Sequence, residues 1–257
     1  MNRIRTVVAA VAASLCAHAG ASIAAPVESV RLQDHRTLSY GSSAWTVSQG
    51  PSYSFLGPVY DSTNFTTSGS AGFGAGATST TDLATIYGDR LTMVNAAGST
   101  LDTFKFAVFC SSSSTGNLTS ATETIRFYRA ADSTYIGGFT VNIGAITKGF
   151  YSVFTVNSLS TLGINFDTNE VLVTQQLSSV VGANRMGTVF SNASNTPALG
   201  STNAGLYISN ASNAAGYYTF TGYPNFSSGV YQVSTVPAPG ALALLGVAGI
   251  LGGRRRR

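Results

Sequence analysis

Between Pro26 and Thr235 the apolar residues recur mostly at every second position, in short runs broken by Gly, Ser, Asn and Asp. The run TFKFAVFC puts Phe104, Phe106, Val108 and Cys110 on one face, and TIRFYRA sets Ile125 and Phe127 opposite Arg126 and Tyr128. A period of two is that of a half-buried strand. Similar runs, rich in β-branched and aromatic residues, occur at SYSFLGPVY, FYSVFTV, EVLVTQQL, AGLYISN, YYTFTG and VYQVSTV. No segment carries a convincing helical stripe. The nearest, TTDLATIYGDRLTMV, reads better as strands around a turn at Gly88 because of its Ile, Tyr, Thr and Val content. The pattern predicts roughly ten to twelve strands without crossover helices, hence an all-β fold: an antiparallel β-sandwich of jelly-roll type, with a barrel as second choice. The Gly-rich stretch from Gly69 to Asp82 and the polar stretch from Ser191 to Gly205 read as long loops of one domain spanning residues 26–235.

The two ends depart from this pattern. Residues 1–25 read as a secretory signal, with Arg3 and Arg5 ahead of the apolar TVVAAVAASLCAHAGA. Ser22-Ile23-Ala24 offers a small-x-small cleavage site and Ala17-His18-Ala19 an alternative. A lipoprotein reading of Cys16 is disfavoured by Leu15, where that chemistry needs a small residue.

The ends also distort the charge. The net charge is +4, but Arg3, Arg5 and the four terminal arginines are six of the 14 basic residues. The body keeps eight basic against ten acidic groups, so the hint of nucleic-acid binding disappears with the tails. The body holds a single cysteine, Cys110, and therefore no internal disulfide.

Candidate chemistry is sparse. His35 is the body's lone histidine, Cys110 lies in phase with Phe106 and Val108, and no G-x-S-x-G elbow is present. Nucleophilic catalysis is accordingly disfavoured. Glycoside cleavage needs only two carboxyl groups about 5 to 10 Å apart, and the candidates are Asp61, Asp82, Asp89, Asp102, Glu123, Asp132, Asp167 and Glu170. In FDTNEV, Asp167, Asn169 and Glu170 crowd oxygen donors into a turn that suits Ca²⁺, although the full EF-hand loop is missing and a plain Asx turn is the better explanation. Tyr and Trp faces stack on sugar rings, and Trp45, Tyr53, Tyr60, Tyr217, Tyr218, Tyr223 and Tyr231 fall near strand ends or turns. Of these, Trp45, Tyr217, Tyr218 and Tyr223 are the candidate glycan-binding residues, against the alternative that such aromatics fill the core.

The chain closes on VPAPGALALLGVAGILGGRRRR, from Val236 to Arg257. Gly240 to Gly253 as a short hydrophobic helix would rise about 21 Å, less than the ~30 Å hydrocarbon core, with the arginines held on the cytoplasmic side. A leader at one end, with Pro-x-Pro, a short span and an arginine cluster at the other, resembles the bacterial PEP-CTERM sorting signal. The matching residues are Val236, Pro237, Pro239, Leu244, Leu245, Gly246, Arg254, Arg255, Arg256 and Arg257, with Ala238 where that family usually has Glu. The resemblance covers residues 236–257 only. It implies processing by a membrane-embedded exosortase, transient inner-membrane anchoring, and export to the periplasm, the outer surface or the medium, often in organisms that make exopolysaccharide. The expectation is a non-enzymatic exported surface or matrix protein of structural or adhesive role. The alternatives are a carbohydrate-binding module for extracellular polysaccharide and, third, a glycoside hydrolase or lyase.

Overall fold

The computed structural model describes residues 21–23, 27–29, 31–48, 57–66, 73–76, 85–190, 196–203, 205–209, 215–220 and 229–237. Its first nine strands are β1 (Ala21–Ile23), β2 (Val27–Ser29), β3 (Arg31–Ser39), β4 (Thr46–Ser48), β5 (Pro58–Asp61), β6 (Phe73–Gly76), β7 (Ile86–Thr92), β8 (Ser99–Cys110) and β9 (Ser120–Arg129). The rest are β10 (Tyr135–Ile143), β11 (Phe150–Asn157), β12 (Asn165–Phe166), β13 (Glu170–Val181), β14 (Met186–Phe190), β15 (Ser201–Thr202), β16 (Leu206–Ser209), β17 (Gly216–Phe220) and β18 (Gln232–Pro237).

These strands form two sheets packed face to face, an all-β sandwich. Sheet I has the order β1-β17-β16-β7-β13-β9-β10, with β15 also on β7. Sheet II runs β2-β6-β14-β8-β11-β3-β4, with β12 and β18 also on β8, and β5 on β18. Pairing is antiparallel except for β1 with β17 and β3 with β11, which run parallel.

The alternation of the sequence dictates which side chains meet. Ile125 and Phe127 of β9, Val171 and Val173 of β13 and Phe139 of β10 point inward from sheet I; Phe104, Phe106, Val108 and Phe154 meet them from sheet II. Phe104 stands edge-on to Phe127 (5.4 Å, 87°) and to Phe139 (6.0 Å, 73°), so aromatic contacts tie the two layers together. Each such pair contributes roughly 0.5–1.5 kcal/mol beyond its buried area.

Strand β8 exceeds the expectation of a half-buried strand. Phe104, Phe106, Val108 and Cys110 face the main core as the period of two requires. The opposite face is buried too: Ala107 and Phe109 cluster with Tyr151, Val153, Val189 and Val230 on the outer side of sheet II.

Gly88 is a correction to the sequence reading. It lies inside β7 and makes no turn there. A Cβ at this position would meet the Val173 carbonyl oxygen at 2.5 Å, so glycine is required by the close approach of β13.

Strand pairing occurs at both ends of the expected domain. Ala21–Ile23 pairs in parallel with Tyr218–Phe220, so a cut after Ala24 would remove a strand of sheet I. At the other end β18 continues past Thr235, with Val236 opposite Thr100 and Pro237 opposite Ser99. The terminal proline of that strand fits there because a strand end can dispense with an amide donor.

Candidate functional site

The outer face of sheet I carries the most distinctive surface chemistry. Inward positions on β7, β9 and β13 are Asp89 and Leu91, Ile125 and Phe127, and Val171 and Val173, so their neighbours in sequence point outward. Following the register across the strands, one outward row reads Tyr217, Tyr207, Gly88, Thr174, Arg126 and Gly138. The adjacent outward row holds Arg90, Leu172, Tyr128 and Tyr135. Four tyrosines thus share one face, drawn from β17, β16, β9 and β10.

They are paired edge to face. Tyr207 and Tyr217 have ring centroids 5.6 Å apart at 71°, and Tyr128 and Tyr135 are 5.5 Å apart at 61°. Tyr128, Tyr207 and Tyr217 are half-buried, whereas Tyr135 is 58% exposed. Burial lifts the phenol pKa of Tyr207, with Tyr128 adding to the rise, and pushes that of Tyr217 up to about 12. Leu172, opposite Tyr128 on one side and Arg90 on the other, is only 8% exposed although it points outward.

Polar groups complete this face. The Arg126 guanidinium donates to the Gln176 amide oxygen at 2.9 Å and has no acidic partner among the described residues. Arg90 is instead paired with Glu170. Toward β10 the surface continues as hydroxyl and amide rungs, Thr124 with Thr140 at 3.2 Å and Thr122 donating to Asn142 at 3.0 Å.

Of the aromatic residues singled out from sequence, Tyr217 lies on this face. Tyr218 does not: it sits opposite the fully buried Leu206 on the inner side of β17, because adjacent residues of a strand point to opposite faces. Tyr60 and Tyr231 are fully buried core residues. Tyr53 and Tyr223 lie outside the described residues.

Trp45 occupies a different place. Its indole Nε1 donates to the Asn142 carbonyl at 2.6 Å and its ring stands edge-on to Phe154 (5.1 Å, 71°). It borders an open cleft of about 370 Å³ with Tyr40, Ser42, Ser43, Thr140 and Asn142 at the rim of the sandwich. The indole donor is already used to tie β10 to the turn before β4, so this tryptophan braces an edge.

Each of the oxygen donors proposed for Ca²⁺ has a partner of its own. Strand β13 lies between β7 and β9, and each flanking strand supplies an arginine: Asp167 pairs with Arg129 and Glu170 with Arg90. The Asn169 side-chain oxygen accepts from the Ala97 N–H at 2.8 Å, bracing the turn. Among the described residues no group of three or more His, Cys, Asp or Glu converges.

The remaining acids are dispersed or sealed. Asp61 accepts from Thr63 and Gln232, Asp102 from Ser160, and Asp132 from the Thr134 N–H. Asp82 lies outside the described residues. Asp89 and Glu123 are both fully buried on the inner side of sheet I. Asp89 accepts from Thr202 at 2.6 Å and from the Gly229 N–H at 3.1 Å.

Glu123 accepts from Gln175 at 3.2 Å, and Gln175 in turn accepts from Thr188 at 3.0 Å. Burial raises the Glu123 carboxyl to about 8, partly opposed by the Gln175 hydrogen bond, so it is mostly protonated at neutral pH. Its second oxygen and the Tyr231 hydroxyl have no hydrogen-bond partner among the described residues.

Cys110 is fully buried in the main core, with its thiol 3.6 Å from the Gly116 carbonyl. His35 is half-buried on β3, and burial lowers its pKa, with Lys105 adding to the effect and Asp34 opposing it. The two are not brought together by the pairing of β3 with β11 and β11 with β8, in which His35 aligns with Val153 and Val153 with Ala107.

For the sorting motif, Val236 and Pro237 are the last rungs of β18, while Ala238, Pro239 and the arginines Arg254, Arg255, Arg256 and Arg257 lie outside the described residues. No helix among the described residues is long and apolar enough to cross a membrane.

The four-tyrosine face was only half legible from sequence. The alternation of TIRFYRA turns Arg126 and Tyr128 outward, but nothing local reveals that β16 and β17 lie on the same sheet. No family model, curated protein or solved structure matches this chain.

Proposed function

We propose that this chain is an exported protein of the cell surface or extracellular matrix, with a structural or adhesive role for its sandwich and a C-terminal segment that directs its sorting. The observation that carries the reading is the juncture at Pro237: the folded body runs directly into the Val-Pro-Ala-Pro motif, with Val236 and Pro237 aligned opposite Thr100 and Ser99 as the end of β18. The address therefore follows the domain without a linker. An exosortase-type enzyme is the expected partner, and the inner membrane holds the tail in transit.

Replacing Arg254, Arg255, Arg256 and Arg257 with Ser in the native host tests this. The proposal expects accumulation of unprocessed chain or altered localisation; unchanged size and destination would overturn it.

A second reading, carbohydrate binding, is favoured by one observation: Tyr128, Tyr135, Tyr207 and Tyr217 share the outer face of sheet I. Phenol faces stack on the C–H edges of sugar rings while nearby polar groups fix orientation. Binding of the full chain to a panel of extracellular polysaccharides tests it, and no binding to any member would remove it.

A further inference from the structure

The outer face of sheet I combines two features that a purely structural surface does not need. Tyrosines gather there from four strands, and Arg126 sits beside them with only a neutral amide as partner. Strand neighbours lie about 4.8 Å apart, so the row from Tyr217 to Gly138 extends over five strand spacings, roughly 24 Å. Gly88 and Gly138 contribute no side chain to that row. Between the tyrosine pairs lie Thr174, only 3% exposed, and the part-buried Arg126, so it is the tyrosine rings and the guanidinium that offer contacts there.

Such a surface suits an extended chain of rings lying across the strands. Its charge selects among such chains. On the same sheet Arg90 is neutralised by Glu170, and Arg129 by Asp132 and Asp167. Arg126 alone of these three has no carboxylate, and a guanidinium presents a fork of donors that matches a planar carboxylate.

We propose that the outer face of sheet I is a binding site for acidic polysaccharide, with Tyr207, Tyr217, Tyr128 and Tyr135 stacking on sugar rings and Arg126 binding a uronate carboxylate. The proposal rests on the carbohydrate-binding reading above and adds its site and its ligand class. Two kinds of contact then act together: stacking gives tolerance to ring identity, and the arginine demands negative charge.

The test measures binding of the full chain, in mild detergent, to polygalacturonate, alginate, methyl-esterified polygalacturonate and dextran. Polygalacturonate or alginate should bind, and weaken with added salt. The methyl ester keeps the rings but loses the charge, and should bind at least tenfold more weakly. Arg126→Gln should weaken binding to the acidic polymer by roughly tenfold to a hundredfold, the worth of a charge-assisted hydrogen bond, and Arg126→Lys should restore only part of it. Tyr207→Ala should weaken it as well, whereas Tyr207→Phe, which keeps the ring and the fold, should bind nearly as the parent does. Lys148→Gln, an exposed cation away from this face, should leave binding unchanged.

Failure of all four polymers to bind would overturn both this proposal and the carbohydrate reading. Binding that is equal for dextran or the methyl ester, or that is untouched by Arg126→Gln, would overturn this proposal while leaving the broader reading in place. Equal losses in Lys148→Gln and Arg126→Gln would also overturn it, by reducing the interaction to diffuse charge.

Discussion

The two sheets treat their outer faces in opposite ways. Sheet II buries its outer side around Phe109, Tyr151, Val153 and Val189, so β8 is apolar on both faces. Among its described residues, sheet I covers only Leu172, Thr174 and Gly88 on its outer side and leaves the rest to half-buried tyrosines, arginines and threonine rungs. An apolar outer face adds stability, whereas exposed or half-buried tyrosines and hydroxyls add less and leave their rims open to contacts. On the proposed reading, sheet II supplies stability and sheet I recognition.

The largest effect expected on that contrast is from truncating the closed face. Phe109→Ala should cost about 3–5 kcal/mol in denaturant unfolding, while Tyr135→Ala on sheet I should stay within about 0.5 kcal/mol. Similar costs for the two would erase the distinction.

Next comes the inner side of sheet I. Glu123 has its folded pKa raised by burial to about 8, above the ordinary 4.5. Its contribution is complete below pH 4.5 and is lost as pH rises toward 8, at about 1.4 kcal/mol per pH unit across that window. Glu123→Gln should therefore match the parent near pH 4.5 and exceed it by a few kcal/mol near pH 8, as read from pH-dependent unfolding. The outward neighbour, Thr124→Val, should show no such pH dependence.

A smaller cost, about 1–3 kcal/mol, is expected for Gly88→Ala, because the added methyl group meets the Val173 carbonyl. Calorimetric melting checks it, and an unchanged Tm would mean that β7 and β13 can separate freely. The smallest effect is at the rim. Glu170→Gln, breaking an exposed pair with Arg90, should cost less than about 1 kcal/mol and less still in high salt.

Much of this was legible in the sequence, for physical reasons. The period of two placed Phe104, Phe106, Ile125 and Phe127 inward and Arg126 and Tyr128 outward, because strand geometry enforces alternation. Alternation was silent on Phe109 and Ala107, since burial of the second face depends on what other segments cover it. Gly88 was read as a turn because glycine marks turns and close approaches alike, and only the neighbouring strand tells them apart. The acids of FDTNEV were grouped by sequence proximity, but each is paired with an arginine on a flanking strand, which the local sequence does not reveal. Tyr207 and Tyr217 join Tyr128 through the order of strands in sheet I, which short-range pattern does not encode.

Hydroxyl-radical footprinting of the full chain, with and without polygalacturonate, tests the contrast between the two outer faces most directly. Free protein should be labelled readily at Tyr135, measurably at Tyr128, Tyr207 and Tyr217, and scarcely at Tyr151 or Tyr231. Polymer should protect the four tyrosines of sheet I and leave Trp45 unchanged. Labelling of Tyr151 as strong as that of Tyr135, or protection confined to the Trp45 cleft, would contradict the assignment of recognition to sheet I.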